Sequence, residues 1–146
     1  MVTETAAICA YLADYFADKQ LAPAINSPDR GTYYRWLFFA AGPLEMGTTA
    51  KAYDWRIDAD NVQAVGCGFY QDMLDTLETA LTNGPFICGE NFTAADVFVG
   101  SHIGWGMQFN TIAARPVFTD YVKRLYAREA AIRANALDDA LAAASA

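Results

Sequence analysis

One histidine, His102, is all this chain holds of the side chain most used for proton transfer and metal ligation. A Ser-His-Asp or Cys-His arrangement would rest on that residue alone, and zinc needs more ligands than it supplies, so neither a triad nor a metal site is expected. Cysteine is scarce too. Cys9, Cys67 and Cys88 are odd in number and contain no Cys-x-x-Cys pair, which excludes a disulfide framework and fits reduced, mostly buried thiols in a cytoplasmic protein. Long apolar runs are missing: the richest, Trp36 to Leu44, stops at nine residues, against the roughly 18 or more of a membrane helix. The opening Met-Val-Thr-Glu has no basic, apolar leader pattern, so neither export nor insertion is expected.

Positive charge is also in deficit, with 10 Lys and Arg against 17 Asp and Glu and a net charge of −7. Nucleic acid and anionic membrane would both be repelled. Arg115, Lys123, Arg124, Arg128 and Arg133 gather near the end but alternate with Asp120 and Glu129, the pattern of a solvated helix face. No stretch alternates as a strand does, and there is neither an internal repeat nor a low-complexity linker.

What remains is apolar and helical. The 146 residues suffice for one core, and 54% are hydrophobic. The charged share, 18%, is below the usual quarter, which points to a pocket, a partner face or both. From Thr3 to Phe16, Ile8, Tyr11, Leu12 and Tyr15 repeat at helical spacing and predict a helix with that side buried. A connector through Leu21-Ala22-Pro23 follows. Ser27-Pro28 then reads as an N-cap and first helical residue, opening a long helix towards Met46 that Pro43 should kink or end.

Periodicity weakens from Gly47 to Asp60. Asp60 and Gln63 then suggest a capping box, with an apolar stripe from Val62 to Leu81 predicting a second long helix that encloses Gly66-Cys67-Gly68 and stops at a left-handed cap in Asn83-Gly84-Pro85. Phe92-Thr93-Ala94-Ala95-Asp96-Val97 is the strongest helix start: Thr93 as N-cap, Asp96 answering from the third position, Phe92 stapled to Val97. Gly100, Gly104 and Gly106 inside that helix predict close packing on a neighbour. Pro116 opens a helix carrying Val117, Tyr121, Leu125 and Arg128, and an alanine-rich helix ends the chain, partly frayed.

Two segments carry a family resemblance that spans nearly the whole chain. Glu4-Thr5-Ala6-Ala7-Ile8-Cys9-Ala10-Tyr11-Leu12 resembles the Glu-Ser-x-x-Ile-x-x-Tyr-Leu segment of cytosolic glutathione transferases, and Gly89-Glu90-Asn91-Phe92-Thr93-Ala94-Ala95-Asp96 resembles their Gly-x-x-Phe-Thr-x-Ala-Asp segment. The resemblance implies an all-α bundle like that family's C-terminal domain. Residues 1–17 would be the last helix of its thioredoxin-like half, 18–27 a linker and 28–146 the helical domain, with the rest of the thioredoxin-like half absent.

The resemblance also assigns roles. Glu4 and Thr5 match the pair that holds the γ-glutamyl end of glutathione, a reading the free N–H groups and positive end of a helix support. Thr93 and Asp96 match a structural capping box. Tyr34, Phe38, Ala41 and Glu45 share one helix face, and with Trp105 they are the candidate pocket for a small hydrophobic electrophile. Compared with the bacterial beta class, Trp36-Leu37 and Trp105 match, while Phe38 and Glu45 replace the asparagine and histidine often found there.

Conjugation needs glutathione as a thiolate beside a hydroxyl or thiol donor. The family places that Tyr, Ser or Cys early in the thioredoxin-like half, and none of the eight tyrosines here replaces it by motif. No catalytic residue is therefore assigned, glutathione is expected as co-substrate, and the chain alone is expected to be inactive. A homodimer is implied by resemblance. The competing readings are a non-catalytic interaction module and an unrelated helical ligand carrier.

Overall fold

The computed structural model describes residues 1–145. The chain enters its first helix, α1 (Thr5–Tyr15), directly after Glu4 and leaves it through a 3₁₀ turn at Ala17–Lys19. Ser27 Oγ accepts from the Asp29 N–H at 3.2 Å, which starts α2 (Asp29–Phe39) where the Ser-Pro pair predicted. Pro43 neither ends this helix nor breaks it. A π-helical stretch (Ala40–Leu44) absorbs the missing N–H, and the chain continues as α3 (Glu45–Ala52). α4 (Tyr70–Thr82), α5 (Ala94–Gln108), α6 (Pro116–Tyr126) and α7 (Glu129–Ala144) complete an all-α body. Among the described residues the only extended pairing is an isolated bridge between Phe86 and Gly89.

α5 is the central element and touches α1, α2 and α6. Its Ala95, Val99 and Ile103 are wholly buried in a core with Tyr33, Leu37 and Leu44 from the α2 to α3 rod, Leu77 from α4, and Phe118 and Tyr121 from α6. Burying each such large side chain stabilises the fold by roughly 1.5–3 kcal/mol. The glycines of α5 do what their placement predicts: a Cβ on Gly100 would overlap Leu125, and one on Gly104 would overlap the Tyr126 hydroxyl, so α6 lies against the α5 backbone.

Several sequence expectations are corrected. The second long helix begins only at Tyr70, because residues 53–69 form turns and Gly66 and Gly68 take positive φ values of 73° and 68°. Gly66-Cys67-Gly68 is therefore in a turn, not a helix. The carboxylate that organises this segment is Asp58, whose Oδ1 accepts from the Asp60 N–H at 3.0 Å, in place of an Asp60 to Gln63 box. Asn83 has φ −88° and is not a left-handed cap; α4 stops where Gly84 packs directly on the Gly89 backbone.

Phe92 packs edge-on against Phe86 under the Arg128 guanidinium, while Val97, its expected staple partner, is exposed. Arg128 itself lies beyond α6 and precedes α7, a helix with no buried residue. The largest correction concerns α1. Ile8, Tyr11, Leu12 and Tyr15 are exposed, and the face packed on the core is Ala6, Cys9, Ala10 and Ala13. Small side chains let α1 approach α5 closely, which turns the larger ones outward.

Candidate functional site

The opening of α1 has unusual geometry. Glu4 precedes the helix at φ 66°, ψ 119°, a backbone conformation that side-chain-bearing residues seldom hold outside functional sites. Its carbonyl accepts the first intrahelical bond, from the Ile8 N–H at 2.9 Å, while no side chain caps the turn. Glu4 and Thr5 are both exposed. The helix thus presents uncapped N–H groups, a hydroxyl and a carboxylate together at one end, chemistry suited to a ligand that carries a carboxylate and an ammonium group.

α1 is fastened to α2 at its other end. Arg30 donates through one nitrogen to both Asp14 oxygens, at 2.5 and 2.7 Å, and through another to the Pro23 carbonyl at 2.6 Å. Its guanidinium also lies 4.9 Å from the Tyr34 ring centroid. Tyr34 is thereby tied to the α1 to α2 junction.

The remaining pocket candidates disperse. Phe38 is 71% exposed on α2. Glu45 lies beyond the π stretch, whose wider turn shifts later positions relative to Tyr34 and Phe38, and its charge acts on His102. Trp105 is 64% exposed, stands edge-on to Phe109 and lines a groove of about 250 Å³ between α3 and α5. Of the five candidates, Ala41 included, only Trp105 lines that groove; Thr48, Thr49, Tyr53, His102 and Phe109 are its other principal walls.

The sequence held a signal for part of this wall. His102 and Trp105 on α5 and Phe109 at its C-cap repeat at 3 and 4, whereas the threonines and Tyr53 lie on or just after α3, where the periodicity is too weak to read.

None of Cys9, Cys88 and Tyr33 is poised as a thiolate or phenolate. Burial raises the Cys9 thiol above its ordinary value and pushes Cys88 up to about 11. Tyr33, wholly buried on α2, is likewise raised by desolvation. His102 is lowered by burial, with Glu45 opposing the shift, and is neutral at pH 7. The site offers donors, aromatic surface and one neutral imidazole.

Residues 70–124 match the family described as glutathione S-transferase, C-terminal domain. Glutathione S-transferase GstA of Escherichia coli O157:H7 is 31% identical over 106 residues, which cover 72% of this chain and 51% of that protein. The chain thus spans about half the length of this curated relative. The ternary complex of BphK, a bacterial GST, superposes with a TM-score of 0.72 at 27% identity over 91% of this chain and 66% of that one. A sphingomonad glutathione S-transferase complexed with glutathione shares the fold with a TM-score of 0.70 at 24% identity, again over 91% and 66%. Fold and sequence agree, and the chain belongs to the glutathione S-transferase family through its C-terminal helical domain.

Proposed function

We propose that this chain is the helical part of a glutathione transferase that conjugates glutathione to small hydrophobic electrophiles. The observation that carries the reading is the mouth of α1, where a strained Glu4 and an exposed Thr5 stand before an uncapped helix end. That constellation suits the γ-glutamyl end of glutathione, and a sphingomonad relative of the same fold was solved with glutathione bound. Trp105 would face the electrophile from the groove it lines, while Tyr34, Phe38 and Glu45 lie outside that groove. The thiol-activating donor belongs to sequence outside this chain, so the chain alone is inactive. A homodimer in the cytoplasm is part of the same proposal.

The test is conjugation of a chlorinated nitrobenzene. The isolated chain is expected to give no turnover above the blank. The same chain joined in frame to a thioredoxin-like segment carrying an early Tyr, Ser or Cys is expected to turn over, and Glu4→Ala or Thr5→Ala in that longer protein to raise KM for glutathione. Unchanged KM in both variants overturns the assignment.

A second reading, a non-catalytic interaction module, draws on the exposed Ile8, Tyr11, Leu12 and Tyr15 of α1, apolar surface that a partner could cover. Co-purification with a different protein, without retention on a glutathione resin, would favour it.

A further inference from the structure

A second recess, of about 300 Å³, lies where the end of α3 meets the turns of 53–69 and the start of α4, and shares no lining residue with the groove at Trp105. Its walls are Trp55, Ile57 and Tyr70, its rim carries Lys51 and Asp54, and Gly68 leaves one side without a side chain. This shape is fixed by the backbone. The Trp55 N–H reaches back to the Ala50 carbonyl at 2.9 Å and closes the end of α3, with Asp54 held in the left-handed region at φ 51°. Tyr70 is held from the opposite side, its hydroxyl donating to the Thr111 carbonyl at 2.8 Å. At Gly68, φ 68° favours glycine, and no heavy atom lies within 4 Å of where a Cβ would stand.

The chemistry of the rim narrows the ligand. Among the described residues neither Lys51 nor Asp54 has an ion-pair partner within 4.0 Å, so an ammonium and a carboxylate three residues apart are both open to a ligand. Trp55 is half-exposed and roughly parallel to Tyr53, 6.4 Å between centroids, presenting an indole to the recess. The volume is at the low end of the roughly 300–1,000 Å³ of ligand pockets, which limits the occupant to a small molecule.

We propose that this recess binds a small aromatic amino acid, with its ring against Trp55 and Ile57, its carboxylate on Lys51 and its ammonium group on Asp54. A flat apolar body satisfies the walls, and opposite charges carried by two substituents of one carbon satisfy both rim groups at once. This site is independent of the glutathione reading and stands or falls separately from it.

The test uses L-phenylalanine titrated into the full chain, followed by calorimetry and by amide shifts in a ¹H–¹⁵N spectrum. Saturable binding in the millimolar range is expected, with shifts concentrated at Lys51, Asp54, Trp55 and Gly68. Hydrocinnamate, which lacks the ammonium group, and phenethylamine, which lacks the carboxylate, are each expected to bind about tenfold more weakly. Asp54→Asn should erase the preference over hydrocinnamate, Lys51→Met the preference over phenethylamine, and Trp55→Ala should abolish binding with helicity retained. Absence of saturation, equal binding of all three compounds, or shifts centred on Trp105 overturns the proposal. If Trp55→Ala fails to fold, the shift map of the unaltered chain decides alone.

Discussion

Tyr121 on α6 donates its hydroxyl to Asp96 Oδ1 on α5 at 2.9 Å, inside a core where Asp96 is wholly buried. The same carboxylate accepts from the Ile87 N–H at 2.7 Å and, through Oδ2, from the Thr93 N–H at 2.7 Å. One side chain thus joins the α5 cap, the loop before it and the neighbouring helix. Burial raises the Asp96 pKa, and these donors oppose that shift. Asp96→Ala removes the acceptor of four buried donors, the Thr93 hydroxyl at 3.0 Å being the fourth, and is expected to cost about 3 kcal/mol or more, whereas Tyr121→Phe removes one bond and should cost about 1–1.5 kcal/mol. Urea unfolding of both variants measures the order, and a larger loss in Tyr121→Phe would contradict it.

The Asp14 to Arg30 pair makes an asymmetric prediction. Arg30 is 7% exposed at its side chain and Asp14 42%, so the arginine is the partner that suffers when left alone. Asp14→Ala leaves a buried guanidinium whose Nε already lacks a partner, and should cost about 2 kcal/mol after allowance for solvent around the carboxylate. Arg30→Met removes the charge with its burial and should cost less, about 1 kcal/mol. Faster hydrogen exchange in α1, more marked in Asp14→Ala, is the measurement that checks both the order and the role of this pair in seating α1.

These features differ in how far the sequence disclosed them. The Thr93 to Asp96 box was legible because a capping box is local: two residues three apart suffice, whatever surrounds them. The close packing of α5 was legible for a similar reason, since three glycines in one soluble helix need a compensating neighbour. The turns of 53–69 are hidden from a periodicity reading because Val62, Val65 and Phe69 continue the stripe of α4, and a period cannot register that Gly66 and Gly68 adopt left-handed φ.

The α1 stripe failed differently. Ile8, Tyr11, Leu12 and Tyr15 do form one apolar face, but which of two faces packs depends on what lies beside the helix, and here the alanine face wins. Among the site candidates, Glu4 and Thr5 came from a motif and Trp105 from its register. The wall of the groove came from α3, whose weak period hid Thr48, Thr49 and Tyr53.

His102 should give the chain a pH-dependent stability with a definite sign. Burial holds its folded pKa below the unfolded value, so between those two values the unfolded chain binds the extra proton. Stability from this group is therefore constant above about pH 6.5 and falls as pH drops through the window towards the folded pKa. His102→Gln is expected to flatten that part of the profile. Because Glu45 raises the His102 pKa against burial, Glu45→Gln should move it further down. The chain has one histidine, so its imidazole proton resonance reports the titration without overlap.

Two glycines of α5 should respond unequally to the same change. A Cβ at Gly106 would come within 2.9 Å of the Ile112 Cβ and closer still to the outer atoms of that side chain, which is buried at 2% exposure. A Cβ cannot rotate away, so Gly106→Ala must displace the 109–112 turn and is expected to cost about 2 kcal/mol. At Gly104 the obstacle is the hydroxyl end of Tyr126, a ring with 43% exposure and room to swing outward. Gly104→Ala should then lose little in packing while gaining up to about 1 kcal/mol in helix propensity, leaving stability near the starting value. Thermal unfolding of the two variants side by side is the check: a drop in Tm for Gly106→Ala with Gly104→Ala unchanged supports rigid Ile112 and movable Tyr126, and the reverse order would show that Tyr126 is the fixed wall.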